Sequence, residues 1–560
     1  MKIPESLRSW PARPAVHTET LLALCAAFIL LAGNGPFWRA ALANRAWTEP
    51  GTWLFAGAVF VALSAFYLAF TALFASRYTV RPLLAVLLIV TAAAAYYMER
   101  YAIYLDRAML RNVLATNYKE AGELLGWGLG AHLLLFGLLP AGLLWWPRLK
   151  QRPPLRALAV RTGWVAASLV IGVASLLLVF ADFASLMRNH KEVRHLITPG
   201  NIVASLAGNA WGRAKRPAGQ ARLVVGADAK PGPAKARPTL FVLVVGETAR
   251  AQNFSLNGYA RVTNPELARR GVINFPSATA CGTSTEVSLP CMFSPFGRSN
   301  YNEEAIVTHE SVLQVLARAG VKVLWRDNQS GCKGVCDGLP QEQLDHAAVP
   351  SLCAGGQCLD EILLHGMDQV LRDRQGNLLV VMHQLGSHGP AYFKRYPPAF
   401  KKFTPACETG DLRHCSPEEI VNAYDNSILY TDFFLGKLID FLAGAQQTHD
   451  TAMLYVSDHG ESLGEGGLYL HGMPWAIAPD VQTRVPFVLW LSPVFRQSQG
   501  IDAQCLRSWA LRQPVSHDYL FHSLLGVFGV QTRAYGRQMD LFAPCRGAAA
   551  AALSPAETKR

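Results

Sequence analysis

The chain has 560 residues, too many for one ordinary core and enough for two or more folded units. Half of it is hydrophobic (51%) and only 16% is charged, a balance that leans toward a membrane protein. The net charge of +12 invites a nucleic-acid partner, but regional counting removes that reading: residues 1–237 hold 26 Lys/Arg against 10 Asp/Glu, and residues 238–560 hold 26 against 30. The basic excess therefore belongs to the N-terminal part, where cytoplasmic loops and anionic headgroups account for it.

Five apolar stretches fall in the first 190 residues, at about Thr18–Trp38, Trp53–Ala75, Pro82–Met98, Leu124–Trp146 and Trp164–Leu186. Each is near the length a helix needs to cross a ~30 Å hydrocarbon layer, the third being short. One such stretch could be a buried core helix; five in succession predict an α-helical transmembrane domain of five spans over residues 1–187. The first lacks a small-x-small cleavage site and precedes four more, so it is read as retained rather than as a signal peptide. Lys2, Arg8 and Arg13, the Arg77–Arg81 loop and the Arg148–Arg161 loop carry the Lys/Arg bias of cytoplasmic segments. Everything after about Met187 is then outside.

Residues 188–237 read as a linker. "RAKRPAGQARLVVGADAKPGPAKARP" is rich in Ala, Gly, Pro and basic residues. The "RNHKEVRHLITPGNIVASL" before it suits a short helix on the membrane surface or an ordinary connecting helix. From 238 to 560 the pattern turns α/β. "TLFVLVVGE", Val321–Trp325, Asn377–His383, Ala452–His459 and Val485–Leu491 are continuous apolar strands, separated by helical stretches such as Glu310–Ala319 and Pro417–Ala443. They predict a mostly parallel sheet covered on both faces.

Cys25 lies alone in the first span; the other ten cysteines all follow residue 280. An even number at short spacings in an exported region reads as a disulfide framework. The simplest connectivity pairs neighbours: Cys281–Cys291, Cys332–Cys336, Cys353–Cys358, Cys407–Cys415 and Cys505–Cys545. A zinc ribbon from Cys332, Cys336, Cys353 and Cys358 is the alternative, without a histidine at finger spacing.

Ligands of open α/β sheets bind beyond the carboxyl ends of the strands. There the sequence places Glu247, then Lys333 in "RDNQSGCKGVCD", His388 in "HQLGSHGP", Asp458 and His459 in "YVSDHGESLGE", and His471 in "YLHGMP". Singly, such residues are as often helix caps or solvated charges. The adjacent Asp458–His459 pair after a buried strand is harder to dismiss, and with Glu247 it offers two oxygens and a nitrogen, a set suited to zinc or manganese. "ATACGTSTEVSLPCMF" (Ala278–Phe293) crowds hydroxyls and a thiol into Cys281–Thr285, with no nearby His or Lys to take a proton. A dication can instead lower a hydroxyl's pKa by coordination. Thr285 is preferred to Thr283 or Ser284 because it can open a helix, where an anion is favoured.

"GETAR", "CGTSTEVSLPCMFS", "DNQSGCKGVCD", "GSHGPAYFKRYP", "YDNSILYTD", "VSDHGESLGE" and "YLHGMPWAIAP" together resemble the lipid A phosphoethanolamine transferases. That group includes the mobile colistin-resistance enzymes and belongs to the alkaline-phosphatase/sulfatase superfamily. The resemblance implies a multi-pass protein of the bacterial inner membrane with a periplasmic catalytic domain of alkaline-phosphatase/sulfatase fold, acting as a monomer. It implies Zn²⁺ held by Glu247, Asp458, His459 and Thr285, with Thr285 as nucleophile. Lys333, His388 and His471 take substrate-side roles, and His388 and His471 either protonate the leaving oxygen or hold a second cation. "RNVLATNYKEAGELL" looks like the headgroup segment, casting Asn112, Thr116 and Glu120 in binding, on one face if the helix is continuous. The expected reaction moves phosphoethanolamine from phosphatidylethanolamine to lipid A through a phosphothreonine, lowering envelope charge and polymyxin binding. The same chemistry on a core sugar is the nearest alternative. A sulfatase is disfavoured because Cys281-Gly282-Thr283 lacks the C/S-x-P-x-R pattern. A transporter or scaffold is disfavoured because intramembrane charges are nearly absent, Asp182 excepted.

Overall fold

The computed structural model describes residues 13–43, 45–116, 118–211, 222–233, 235–345, 347 and 349–547, with backbone only for residues 115, 118–120, 210 and 211. The chain forms two compact units, Met1–Leu110 with Leu125–Gly208, and Arg111–Leu124 with Asn209–Arg560.

The first unit is helical: α1 (Thr18–Ala32), α2 (Gly35–Leu42), α3 (Pro50–Phe74), α4 (Val80–Tyr101), then past α5 (Arg107–Ala115) and α6 (Tyr118–Leu124) to α7 (Trp127–Leu143), α8 (Pro154–Leu178), α9 (Phe180–Asn189) and α10 (Gly200–Trp211). Each of the five apolar stretches is helical. Three helices, α3, α4 and α8, are long and apolar enough to cross a membrane, against the five expected; α1 and α2 reach that length only as a pair bent by 63°, and α7 is shorter. The bend has a local cause and a distant one. Gly33, Asn34 and Gly35 precede Pro36 in the first turn of α2, and the buried Asn34 amide donates to Ile29 O and Thr198 O, both at 2.9 Å. Such a side-chain substitute for the backbone ladder fixes a break in place. Only 11% of α8's apolar window is covered by protein, so its side chains require a non-aqueous surrounding.

In the second unit, seven strands make the main sheet among the described residues, in chain order β1 (Thr239–Gly246), β2 (Ile273–Asn274), β3 (Lys322–Asp327), β4 (Gln341–Gln343), β5 (Leu378–His383), β6 (Asp450–Ser457) and β7 (Phe487–Leu491). Their spatial order is β2-β7-β6-β1-β5-β3-β4. The β6-β1-β5-β3-β4 part is parallel, and β7 and β2 add antiparallel pairs at one edge. All eight residues of β1 are buried. Phe241, Leu243 and Val245 enter one core cluster and Leu240, Val242 and Val244 the other, which is why the strand is apolar without alternation. The 28-residue helix α12 (Pro417–Gly444) covers the second face, started by a Ser416/Glu419 capping box.

Five disulfides, Cys281–Cys291, Cys332–Cys336, Cys353–Cys358, Cys407–Cys415 and Cys505–Cys545, close loops of this unit, and Cys25 is free. The four cysteines of the alternative zinc ribbon are therefore spent on two bridges.

Candidate active site

Parallel register brings the first two acidic groups together. Gly246 of β1 pairs with Ser457 of β6, so Glu247 and Asp458, 211 positions apart in sequence, leave neighbouring strand ends side by side. His459 follows, and all three are fully buried. One ligand atom from each lies within 4.8 Å of the others.

The hydrogen bonds turn ligand atoms toward one another. His459 Nδ1 donates to Gly460 O at 2.9 Å, which leaves Nε2 facing the carboxylates, where it would give its lone pair to a cation that displaces its proton. Asp458 Oδ1 accepts from the Thr248 and His459 N–H groups at 3.2 and 2.8 Å. Asp458 Oδ2 has no hydrogen-bond partner and stands 3.4 Å from His459 Nε2. Electrostatics agree. Burial alone would lower the His459 pKa, but the Asp458 and Glu247 carboxylates outweigh it and push it up to about 10. Burial and the charge of Glu247 raise Asp458. An unpartnered buried oxygen, an imidazole nitrogen facing it and excess negative charge fit a divalent cation, and two carboxylates with one imidazole fit zinc.

Thr285 opens the helix α11 (Thr285–Met292) with Ser284 as N-cap. Its Oγ1 donates to Glu247 Oε2 at 3.0 Å and lies 3.3 Å from His459 Nε2. The loop before it is bound on both sides: Thr283 Oγ1 donates to Met473 O and Gly472 N–H to Thr283 O, both at 2.7 Å. His471 packs on His459 with ring centroids 4.3 Å apart, and His388 lies 5.7 Å beyond it. Burial, with His459 and His388 nearby, drives the His471 pKa down to about 3. Lys333 lies on the loop after β3, where its Nζ donates to Ser330 Oγ at 2.8 Å.

Asn112 and Thr116 are not joined to this cluster by any hydrogen bond among the described residues. Thr116 Oγ1 turns back to Asn112 O at 2.8 Å. The stretch expected to carry Asn112, Thr116 and Glu120 on one face of a single helix is two helices, α5 and α6. The Glu120 side chain lies outside the described residues.

The sequence reading missed several participants. Gln329 Nε2 donates to Glu247 Oε2 at 3.1 Å; it stands in the quoted "DNQSG" two residues after β3. Glu461, in "DHGES", is buried, lies 3.3 Å from His471 Nδ1 through Oε1 and leaves Oε2 without a partner; burial pushes its pKa up to about 8. His383 ends β5 with Nδ1 2.9 Å from Asp327 Oδ2. His517 alone had no local signal.

A sulfatase-type α/β unit with a buried carboxylate–imidazole cluster facing a threonine at a helix N-terminus defines the class. Residues 239–530 match the sulfatase family model, and residues 62–212 match the model of the phosphoethanolamine transferases EptA/EptB. The chain is 42% identical over 471 residues to phosphoethanolamine transferase EptA of Escherichia coli K12, covering 83% of this chain and 86% of that one. It is 38% identical to the Escherichia coli phosphatidylethanolamine transferase Mcr-1, covering 84% and 87%. Among solved structures it is similar to the integral membrane lipooligosaccharide phosphoethanolamine transferase A of Neisseria meningitidis, with a TM-score of 0.91 and 36% identity over 95% and 99% of the two chains. The chain belongs to the phosphoethanolamine transferase family.

Proposed function

We propose that this enzyme transfers phosphoethanolamine from phosphatidylethanolamine to a phosphate of lipid A, through a covalent phosphothreonine at Thr285. The observation that carries the reading is the Thr285 hydroxyl, at a helix N-terminus and within hydrogen-bond reach of Glu247 and His459. Glu247, Asp458, His459 and Thr285 would hold Zn²⁺, which supplies Lewis-acid stabilisation of negative charge on the threonine oxygen. In the first step Thr285 Oγ1 passes its proton to Glu247 Oε2, the acceptor it faces, and bonds to phosphorus. The bond from phosphorus to the diacylglycerol oxygen breaks, and His388 gives a proton to that oxygen, because His471, with its pKa pushed down to about 3, holds none near neutral pH. In the second, an ionised phosphate oxygen of lipid A attacks the same phosphorus and the threonine oxygen leaves, to be reprotonated. Lys333, Asn112, Thr116 and Glu120 would contact the donor's phosphate and headgroup.

On this reading residues 1–187 form five spans in the inner membrane, 188–237 a linker and 238–560 a periplasmic catalytic domain, in a monomer. Five disulfides suit that oxidising compartment. Anchoring confines two insoluble substrates and their enzyme to a surface and raises effective concentration. The added ammonium offsets lipid A charge and weakens cationic peptides such as polymyxin. A second acceptor, a sugar of the lipopolysaccharide core, has one favouring observation: the chain is 28% identical, over 84% of its length, to a Kdo(2)-lipid A phosphoethanolamine 7''-transferase of Escherichia coli.

Intact-mass measurement of the protein incubated with phosphatidylethanolamine is expected to show one phosphoethanolamine adduct on Thr285, absent in T285A and slowed in T285S. Adduct formation by T285A would remove Thr285 as nucleophile. Mass spectrometry of the lipid product then separates lipid A phosphate from core sugar.

A further inference from the structure

Within the catalytic unit, Arg395 and Glu123 form an ion pair whose side chains are only 1% and 3% exposed. Each arm of the guanidinium has its own acceptor. Nη2 donates to Glu123 Oε2, Nη1 to Gln357 Oε1 at 3.0 Å, and Nε to the backbone oxygen of His388 at 2.7 Å. The other Glu123 oxygen accepts from Gln357 Nε2 at 3.1 Å and lies 3.5 Å from Lys394 Nζ. Glu123 ends the segment Arg111–Leu124, which separates two apolar stretches in sequence yet folds with the catalytic unit.

The loop that carries His388 is held from its other side by Asp360, which accepts the Leu385 and Gly386 N–H groups at 2.8 and 2.9 Å. It also abuts a candidate ligand: Ser387 N–H donates to Glu247 O at 3.0 Å, and a Cβ on Gly386 would meet that oxygen at 2.5 Å. Arg395 is therefore one of several anchors that set this loop against the cluster, beside Asp360 and Ser427, whose Oγ donates to Ser387 Oγ at 2.9 Å. A guanidinium this buried keeps its geometry only while its carboxylate is present, because an unpartnered buried charge is strongly unfavourable.

We propose that Glu123 is a positioning residue for the transfer reaction: through Arg395 it fixes the main chain at His388, so that seating of segment 111–124 and orientation of His388 are one event. This rests on the transferase reading and deepens it, since the same segment carries Asn112 and Thr116. Donor binding there and proton delivery by His388 are then coupled through a single carboxylate.

The test uses the full-length protein in detergent with phosphatidylethanolamine at saturation, following the Thr285 adduct by intact mass over hours. E123A is expected to slow adduct formation about 100-fold, the scale of a misplaced catalytic group. E123Q keeps the shape and most hydrogen bonds but leaves the Arg395 charge unpaired, and is expected to slow it about tenfold with a lowered melting temperature but a folded protein. The decisive comparison is a cycle with H388A: if Glu123 acts through His388, E123A adds less than about threefold to the H388A loss. Full multiplication of the two losses, or wild-type rates in both Glu123 variants, overturns the proposal. A second readout does not depend on transfer, namely the rate at which diethylpyrocarbonate modifies His388, mapped on peptides with the exposed His414 as internal control. It is expected to change in E123Q, and an unchanged rate overturns the proposal. If the wild type forms no adduct while His388 reactivity still responds to Glu123, the transferase reading falls and the positioning role stands.

Discussion

His517 links the nucleophile loop to the strand end that carries Asp458 while touching neither Thr285 nor Asp458. Its Nδ1 accepts the Cys281 N–H at 3.0 Å and its Nε2 donates to Ser457 O at 2.9 Å, so the ring is neutral, with the proton on Nε2. Burial drives its pKa down to about 4, against the smaller opposing pulls of Ser457 O and Asp518. A base whose folded pKa is depressed binds its proton more readily unfolded, so its contribution is present above about pH 6.5 and is lost as pH falls through about 4. The shift corresponds to roughly 3 kcal/mol. Urea unfolding of the wild type is therefore expected to weaken over that window, and H517Q to flatten the slope; an unchanged slope in H517Q would show that His517 is not the titrating group. His517 also marks the limit of sequence reading at this scale. Glu247, Asp458, His459 and Thr285 announce themselves at strand ends or a helix start, whereas a histidine 236 positions from its partner Cys281 has no pattern around it.

The strands were legible as elements because a sheet buried on both faces needs unbroken apolar runs, as in β1 and β6. The edge strands β2 and β4, two and three residues long, carry no such run and were not anticipated. The first apolar stretch was legible as helix, but its 63° break depends on Asn34 finding Thr198, far along the chain. The disulfide loops give the prediction at this scale. Cys281–Cys291 spans 10 positions and Cys505–Cys545 spans 40, so loop-closure entropy makes them worth about 3 and about 4 kcal/mol. C505A/C545A is expected to lose more stability in urea, yet C281A/C291A is expected to lose more transfer activity, because its bridge brackets Thr285. Equal activity losses would mean that the shorter bridge does not orient the nucleophile.

The whole molecule divides into two compact units, and most of the basic excess falls in the first, with 17 Lys/Arg against 7 Asp/Glu there and 35 against 33 in the second. Two units predict that unfolding is not two-state. Zinc binding native ligands of the catalytic unit alone is expected to raise only that unit's transition, by an amount corresponding to about 2.7 kcal/mol at a hundredfold excess over Kd. Chelation is expected to reverse it, and E247A or D458A to abolish it. Calorimetry showing no zinc-dependent transition would remove the cation from the account. The sequence by itself determined the succession of apolar helices, the α/β unit that follows, and the chemical types at the strand ends, because hydrophobic periodicity and turn chemistry are local. Only the tertiary structure decided the register that sets Glu247 beside Asp458, that Gln329 and Glu461 join them, and that Glu123 meets Arg395. Those facts depend on strand register and on which buried polar groups find partners, and both are settled by contacts between elements, from 10 positions apart for Glu461 and His471 to 272 for Glu123 and Arg395.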